Sequence, residues 1–222
     1  MVINIVNSYK LLSSNVWSVS FLLPHESINV TKEFSLIPLG ELVVERKESI
    51  TLPNDETIVH YVGLENIEAK TGRLIDYSER HGRDIKSTCK VFRAGDILYG
   101  RLRPNLNKVL LNTSIECGEC STEIFVLIPN LDRIDPLYLS ELLRSEGINK
   151  HIVSLIKGAA LPRVSMYDLK RLMLPIPTIE KQHQLAKTIA RKRDELEMHI
   201  QRAKQLPVEI SNMLMEAYTG ES

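Results

Sequence analysis

Leu174 to Pro207 reads LPIPTIEKQHQLAKTIARKRDELEMHIQRAKQLP. A Leu-Pro-Ile-Pro element opens it, a second Leu-Pro closes it, and no glycine or proline interrupts the helical run between them. Thr178 is placed to cap the N-terminus, and Glu180 falls in the first turn, where a carboxylate complements the helix dipole. Leu185, Ile189, Leu196, Ile200 and Ala203 recur at spacings of three, four and seven, a narrow apolar stripe broken only by Lys192 on an otherwise charged rod. The span from Ile179 to Leu206 is roughly 42 Å long, while a globule of about 180 residues has a radius of about 16 Å, so the rod overhangs and its stripe needs a partner helix. Pro207 reads as the first residue of a short terminal helix with its own stripe of Ile210, Met213, Leu214, Ala217 and Tyr218 before Gly220. The partner is that terminal helix folded back, the same rod of a second chain, or both.

Upstream of the rod the pattern is that of a β-rich body. Short strand-like runs, Leu36 to Leu39, Glu41 to Val44, Thr57 to Leu64 and Cys89 to Phe92, alternate with turns at Gly63, Gly72, Gly82, Gly95 and Gly100. Asp96 to Tyr99, Lys108 to Leu111 and the almost unbroken apolar run Glu123 to Ile128 continue it, the last as a strand covered on both faces. The period then changes: Asp135-Pro136 supplies an N-cap and an N1 proline for a helix through Leu139, Leu142 and Leu143, Ile148 to Ile156 is a second helix, and Ser165 to Asp168 opens a third with a capping box. The strand Leu172 to Ile176 leads into the rod. The fold class is therefore α+β, with a body over residues 1–177, of which 1–33 are an irregular lead-in packing through Trp17, and a helical region over 178–222.

Composition is that of an ordinary globular protein, with 28 basic and 28 acidic side chains. No basic n-region with an apolar core begins the chain, and no run approaches the ~18 apolar residues of a membrane span, which points to the cytoplasm and no membrane partner. Three cysteines suit a reducing compartment. Cys117-Gly-Glu-Cys120 has zinc-like spacing but no second ligand pair, so Gly118 reads as a hairpin turn between two strands and no metal is expected.

The neutral total conceals a division. Residues 26–68 carry Glu41, Glu45, Glu48, Asp55, Glu56, Glu65 and Glu68, whereas residues 71–109 carry Arg73, Arg80, Arg83, Lys86, Lys90, Arg93, Arg101, Arg103 and Lys108. A basic segment of this kind attracts phosphates, with release of counterions. Arg101-Leu-Arg103-Pro104-Asn105 presents two guanidiniums and an asparagine on one loop, the side chains that contact guanine and adenine edges in pairs of hydrogen bonds. Lys157-Gly158-Ala-Ala-Leu-Pro162-Arg163 is a second small-residue loop with a base at each end, where Gly158 lets the backbone approach a phosphate.

Taken in order, several motifs resemble the specificity subunit of type I restriction-modification systems. They are Tyr61 to Ile67, Gly72-Arg-Leu74, Phe92 to Pro104 with Asn107-Lys108, Ser121 to Val126, Gly158 to Ser165, Leu174 to Pro177 with Gln182, and Ala217 to Glu221. The resemblance implies a target recognition domain that reads one half of a bipartite site in double-stranded DNA, followed by a helical region that spaces two such domains and docks methyltransferase subunits. Full-length members carry two sets; this chain has one, so a homodimer through the C-terminal helices, at Leu185, Ile189, Leu196, Ile200 and Ala203, is expected to restore the whole. Catalysis is then expected in partner subunits, with S-adenosylmethionine on the methyltransferase, no cofactor on this chain, and a restriction subunit as a further partner. The shared motifs recur in members that read different sequences, so base readers are sought in the loops between them, among Arg80, Arg83, Lys86 and Lys90 and near Arg101 and Asn105, and phosphate contacts at Arg103, Lys108, Lys157 and Arg163. Two other readings compete. Asp55, Glu68 and Lys70 loosely echo the acidic pair and lysine of magnesium-dependent nucleases, and an inert body on a coiled-coil scaffold accounts for the stripe but leaves the basic loops idle.

Overall fold

The computed structural model describes residues 31–154 and 162–219, so the lead-in up to residue 30, Trp17 included, lies outside the described residues. In chain order the strands are Ser35–Pro38 (β1), Val43–Glu45 (β2), Ser49–Ile50 (β3), Ile58–Val59 (β4), Tyr61–Val62 (β5), Arg80–His81 (β6), Cys89–Arg93 (β7), Ile97–Gly100 (β8), Val109–Leu111 (β9), Cys117–Ser121 (β10) and Ile124–Pro129 (β11). Helices Pro136–Arg144 (α1), Glu146–Ser154 (α2) and Met166–Lys170 (α3) follow, then Met173–Ile176 (β12) and the long helix Ile179–Thr219 (α4).

Two four-stranded sheets, in the orders β2-β11-β8-β9 and β3-β7-β10-β5, form the body, with β4-β6 and β1-β12 as two-stranded additions. Alternation along the strands assigns side chains to two cores. Ile97, Tyr99, Phe125 and Leu127 face a core shared with Leu139, Leu143, Ile148 and Ile152 of α1 and α2, whereas Leu98, Ile124 and Val126 face a second core with Val62, Phe92 and Cys120 of the other sheet. The central sheet is thus covered on both sides, which is why residues 124–129 read as a continuous apolar run. Asp135 caps α1 by accepting from the Tyr138 N–H at 2.9 Å, and the Ser165 hydroxyl accepts from the Asp168 N–H at 3.1 Å to start α3.

Where the structure departs from the sequence expectations, tertiary partners decide. The run Thr57 to Leu64 splits at His60 because β4 joins β6 while β5 joins β10. Gly118 is not a turn: it lies inside β10, where a Cβ would stand 2.5 Å from the His60 carbonyl oxygen and 2.7 Å from the Phe92 ring. Nor does Pro207 begin a separate terminal helix. It sits within the 41-residue α4, because proline's fixed φ is itself helical and an exposed position lets water take the carbonyl whose internal hydrogen bond is lost, at a cost of about 3 kcal/mol. With no break there is no fold-back, and α4 runs roughly 60 Å in one piece.

The start of α4 is fastened to the body by a buried amide. Gln182, 1 % exposed, accepts from the Asp135 N–H at 2.9 Å and donates to the carbonyls of Arg133 and Pro177 at 3.2 and 3.0 Å, and Ala186 packs one turn later. From Gln201 to Thr219 every residue is exposed.

Candidate nucleic-acid interface

The acidic and basic segments of the sequence meet in space. Arg93 pairs with Glu48 at 2.8 Å, Lys90 with Glu45 at 3.5 Å, Arg80 with Glu65 at 3.4 Å, Arg73 with Glu68 at 3.4 Å, and Arg83 with Glu56. Much of the charge that stood out as a basic stretch is therefore neutralised by the carboxylates that precede it. Arg80 also lies over the Tyr61 ring at 5.1 Å. Lys86 is exposed. The Lys108 amine donates to the Leu64 carbonyl at 2.6 Å, which ties the motif starting at Tyr61 to the loop after β8.

That loop is where positive charge stays uncancelled. Pro104–Leu106 forms one 3-10 turn flanked by Arg103 at φ 48° and Asn107 at φ 54°, both left-handed. Asparagine tolerates that region, but an arginine pays roughly 1–2 kcal/mol for it. The conformation persists because neighbours dictate it: the Arg103 N–H donates to the Pro162 carbonyl at 2.8 Å, the Asn107 amide donates to the Arg144 carbonyl at 2.7 Å, and the Asn149 amide donates to the Pro104 carbonyl at 3.1 Å. Arg103 and Asn105 are exposed on this fixed turn. Lys70 and Asp76 are also left-handed and exposed, so what sets Arg103 apart is the rigid turn that carries it beside Arg101 and Arg163.

Arg101 and Lys90 converge on one aromatic ring. Their charged ends stand 5.0 and 4.9 Å from the centroid of Phe125, a cation–π arrangement that holds two like charges, one from the loop after β8 and one from β7, on one side chain. Beside them Glu123 grips Arg163 through both oxygens at 2.8 and 3.0 Å. The Arg163 hydrogen bond holds the Glu123 carboxyl below the ordinary carboxylate range, with the charges of Arg101 and Lys90 acting in the same direction. A bridge between Leu102 and Arg163, with the Val164 N–H donating to the Arg101 carbonyl at 3.1 Å, zips the two loops together. Arg101, Arg103, Asn105 and Arg163 are thereby gathered from two distant stretches of sequence into one ledge. Lys157 and Gly158 lie outside the described residues.

The family model for the type I restriction modification DNA specificity domain matches residues 86–207, more than half of the chain and including this ledge. The chain belongs to that family. Among curated relatives, the specificity subunit of the type I restriction enzyme EcoDI from Escherichia coli is 24 % identical over 151 residues, 68 % of this chain and 32 % of the relative. That of HindI from Haemophilus influenzae is 26 % identical over 174 residues, 77 % and 37 % of the two chains. The solved HsdS subunit from Thermoanaerobacter tengcongensis has the same fold, with a TM-score of 0.65 at 23 % identity over 86 % of this chain and 50 % of that one. The chain spans about a third of the curated relatives' length and half of the solved one.

Within this specificity-domain fold the remaining candidates separate. Asp55 accepts from the Thr57 N–H at 2.9 Å beside β4, whereas Glu68 and Thr71 hydrogen-bond within the turn that leads to Arg73; the two carboxylates serve different turns. Among the described residues no group of three or more acidic, histidine or cysteine side chains is arranged to hold a metal ion. Cys117 is exposed while Cys120 is buried, its thiol pushed up to about 12 by desolvation. No described helix is long and apolar enough to cross a membrane. On α4, Leu185 packs against the first core, Ile189 and Ile200 are half-buried, and Leu196 and Ala203 are exposed. Three participants are absent from the sequence expectations: Phe125 as the platform, Glu123 as the grip on Arg163, and Gln182 as the anchor of α4. All three lie in motifs that carried the resemblance, Ser121 to Val126 and Leu174 to Pro177 with Gln182, but nothing in those motifs disclosed the contacts they make.

Proposed function

We propose that this chain is the DNA-recognition part of a type I specificity subunit, reading one half of a bipartite duplex site. The observation that carries this is the rigid ledge after β8: a strained, exposed Arg103 and Asn105 beside Arg101 on Phe125, in a family defined by a DNA specificity domain. Arg103 and Asn105 meet the duplex first and supply contacts to phosphates and base edges, while Lys86 reaches the backbone from the neighbouring lobe. Lys90, Lys108 and Arg163 are bound to protein partners and shape the ledge. The body over residues 1–177 is the reader, and α4 with the residues after it is the spacer. Two chains associate through the exposed apolar side chains of α4, including Leu206, Ile210, Met213 and Leu214, and present two reading surfaces; the helical region also docks methyltransferase subunits, which hold S-adenosylmethionine and perform the chemistry. A restriction subunit joins the same assembly.

The test has two arms. Sequencing methylated sites in cells with and without the gene identifies the site, and binding of the purified protein, alone and with methyltransferase subunits, is then titrated on that duplex against salt. Affinity is expected to fall steeply with salt, and Arg103→Ala to weaken binding and lower the slope of log affinity against log salt by about 1. No change in the methylated sites, together with salt-insensitive binding, would refute the reading.

A further inference from the structure

We propose that α4 is held at one angle to the body by a polar clasp, in which Arg193 bridges Glu141 and the Thr71 carbonyl while Arg73 grips Glu197, and that the Arg73–Glu197 half can release. The contact between helix and body changes character along α4. At Gln182 and Ala186 it is buried and packed. Further along, the helix spans two clefts. One, of about 370 Å³, is lined by Thr71, Glu141, Ile189, Arg193 and Leu196; the other, of about 290 Å³, by Gly72, Arg73, Leu110, Asn112, Arg193 and Glu197. Arg193 stands between them, and side-chain packing gives way to directed polar bonds.

Those bonds have the geometry of a positioning device. Arg73 donates from Nε and Nη2 to the two Glu197 oxygens at 2.8 and 3.1 Å, a two-point grip that resists rotation as well as separation. Arg193 donates through Nη2 to the Thr71 carbonyl at 2.7 Å and through Nε to Glu141. The body side is stiff: Glu141 also holds Arg144 at 2.7 Å, and Arg144, 6 % exposed, donates to the Ser140 hydroxyl and the Val109 carbonyl. Gly72, at φ 67°, leaves the space that Arg144 occupies, since a Cβ there would strike both its guanidinium and the Val109 carbonyl. The Arg73–Glu197 half is the more open, with the Glu197 side chain 46 % exposed. It lies at the end of the attachment, because α4 is exposed throughout from Gln201 onward. Exposed ion pairs add little stability, so this one serves direction: Gln182 and Ala186 fix where the helix starts, and the clasp fixes where it points.

Only the DNA arm of the following experiment rests on the recognition reading. Cys117 is exposed while Cys89 and Cys120 are buried, so spin labels placed on Cys117 and at position 204 of a Lys204→Cys chain report the angle without further cysteine changes. Labelled chains are diluted into unlabelled protein so that distances within one chain are read. A single narrow distance distribution is expected for the otherwise native chain. Glu197→Gln should lose the single maximum, Glu197→Lys should broaden it further by repelling Arg73, and thermal unfolding and helicity should not move in either. Distributions unchanged by both substitutions, or already broad in the native chain, would overturn the clasp. In the DNA arm, duplexes carrying the methylated site with lengthened or shortened central spacers are compared; Glu197→Gln should accept spacings that the native chain rejects. A native chain that binds no duplex while the distance arm behaves as expected removes the recognition reading and leaves the clasp standing.

Discussion

Residues 101–107 expose Arg103, Asn105 and Leu106, and residues 201–219 are exposed throughout, yet opposite means hold the two stretches in shape. The loop has no repeating backbone pattern and two left-handed residues, and its geometry is imposed by donors and acceptors on Pro162, Arg144 and Asn149. The outer part of α4, apart from the carbonyl that Pro207 leaves to water, satisfies its backbone internally, and every residue on it is exposed. The loop's precision is therefore a property of the whole fold, whereas the helix keeps its shape on its own and depends on the fold only for direction. Damage to the body should blur the first and merely unmoor the second.

Three tests probe that contrast, in descending order of effect. Phe92→Ala empties a fully buried position between the sheets and should destabilise the body by about 3–5 kcal/mol in urea unfolding, while Asn212→Ala on the outer helix should stay within about 0.5 kcal/mol. Comparable losses at both positions would mean that the helix is part of the folding unit along its whole length. Gln182→Leu leaves the Asp135 N–H and two carbonyls without their partner and should cost about 1–3 kcal/mol, marking where dependence on the body begins. The smallest effect is the most diagnostic. Arg103→Gly relieves the left-handed strain and should stabilise the fold by about 1 kcal/mol while weakening DNA binding, a change of opposite sign in the two measurements. Stabilisation without loss of binding would show that the strain serves the turn and not the ligand.

The sequence disclosed the elements with regular periods better than the contacts among them. The strand at Glu123 to Ile128, the cap at Asp135 and the long helix are written in local patterns, and each has its counterpart in the structure. The ordered motifs likewise pointed to the family that the chain belongs to. Pairing at long range was not legible: that Glu48 would meet Arg93, or Glu123 meet Arg163, depends on which strands become neighbours, and no spacing rule encodes it. The apparent basic segment was the casualty, because adjacency in sequence hid its cancellation in space. Gln182 stood out as part of a motif, but its role did not, since the N–H and carbonyls it fastens belong to Asp135, Arg133 and Pro177 and become its neighbours only in the fold. Pro207 deceived by its usual habit, being as compatible with the interior of an exposed helix as with the start of one.

The free reach of α4 beyond Glu197 has a mechanical consequence. From there to Thr219 the helix is a lever arm of about 33 Å, and a tilt of about 10° at its fulcrum sweeps the tip through about 6 Å. Duplex DNA advances about 3.4 Å per base pair along one strand, so an angular tolerance of that size spans nearly two base-pair steps.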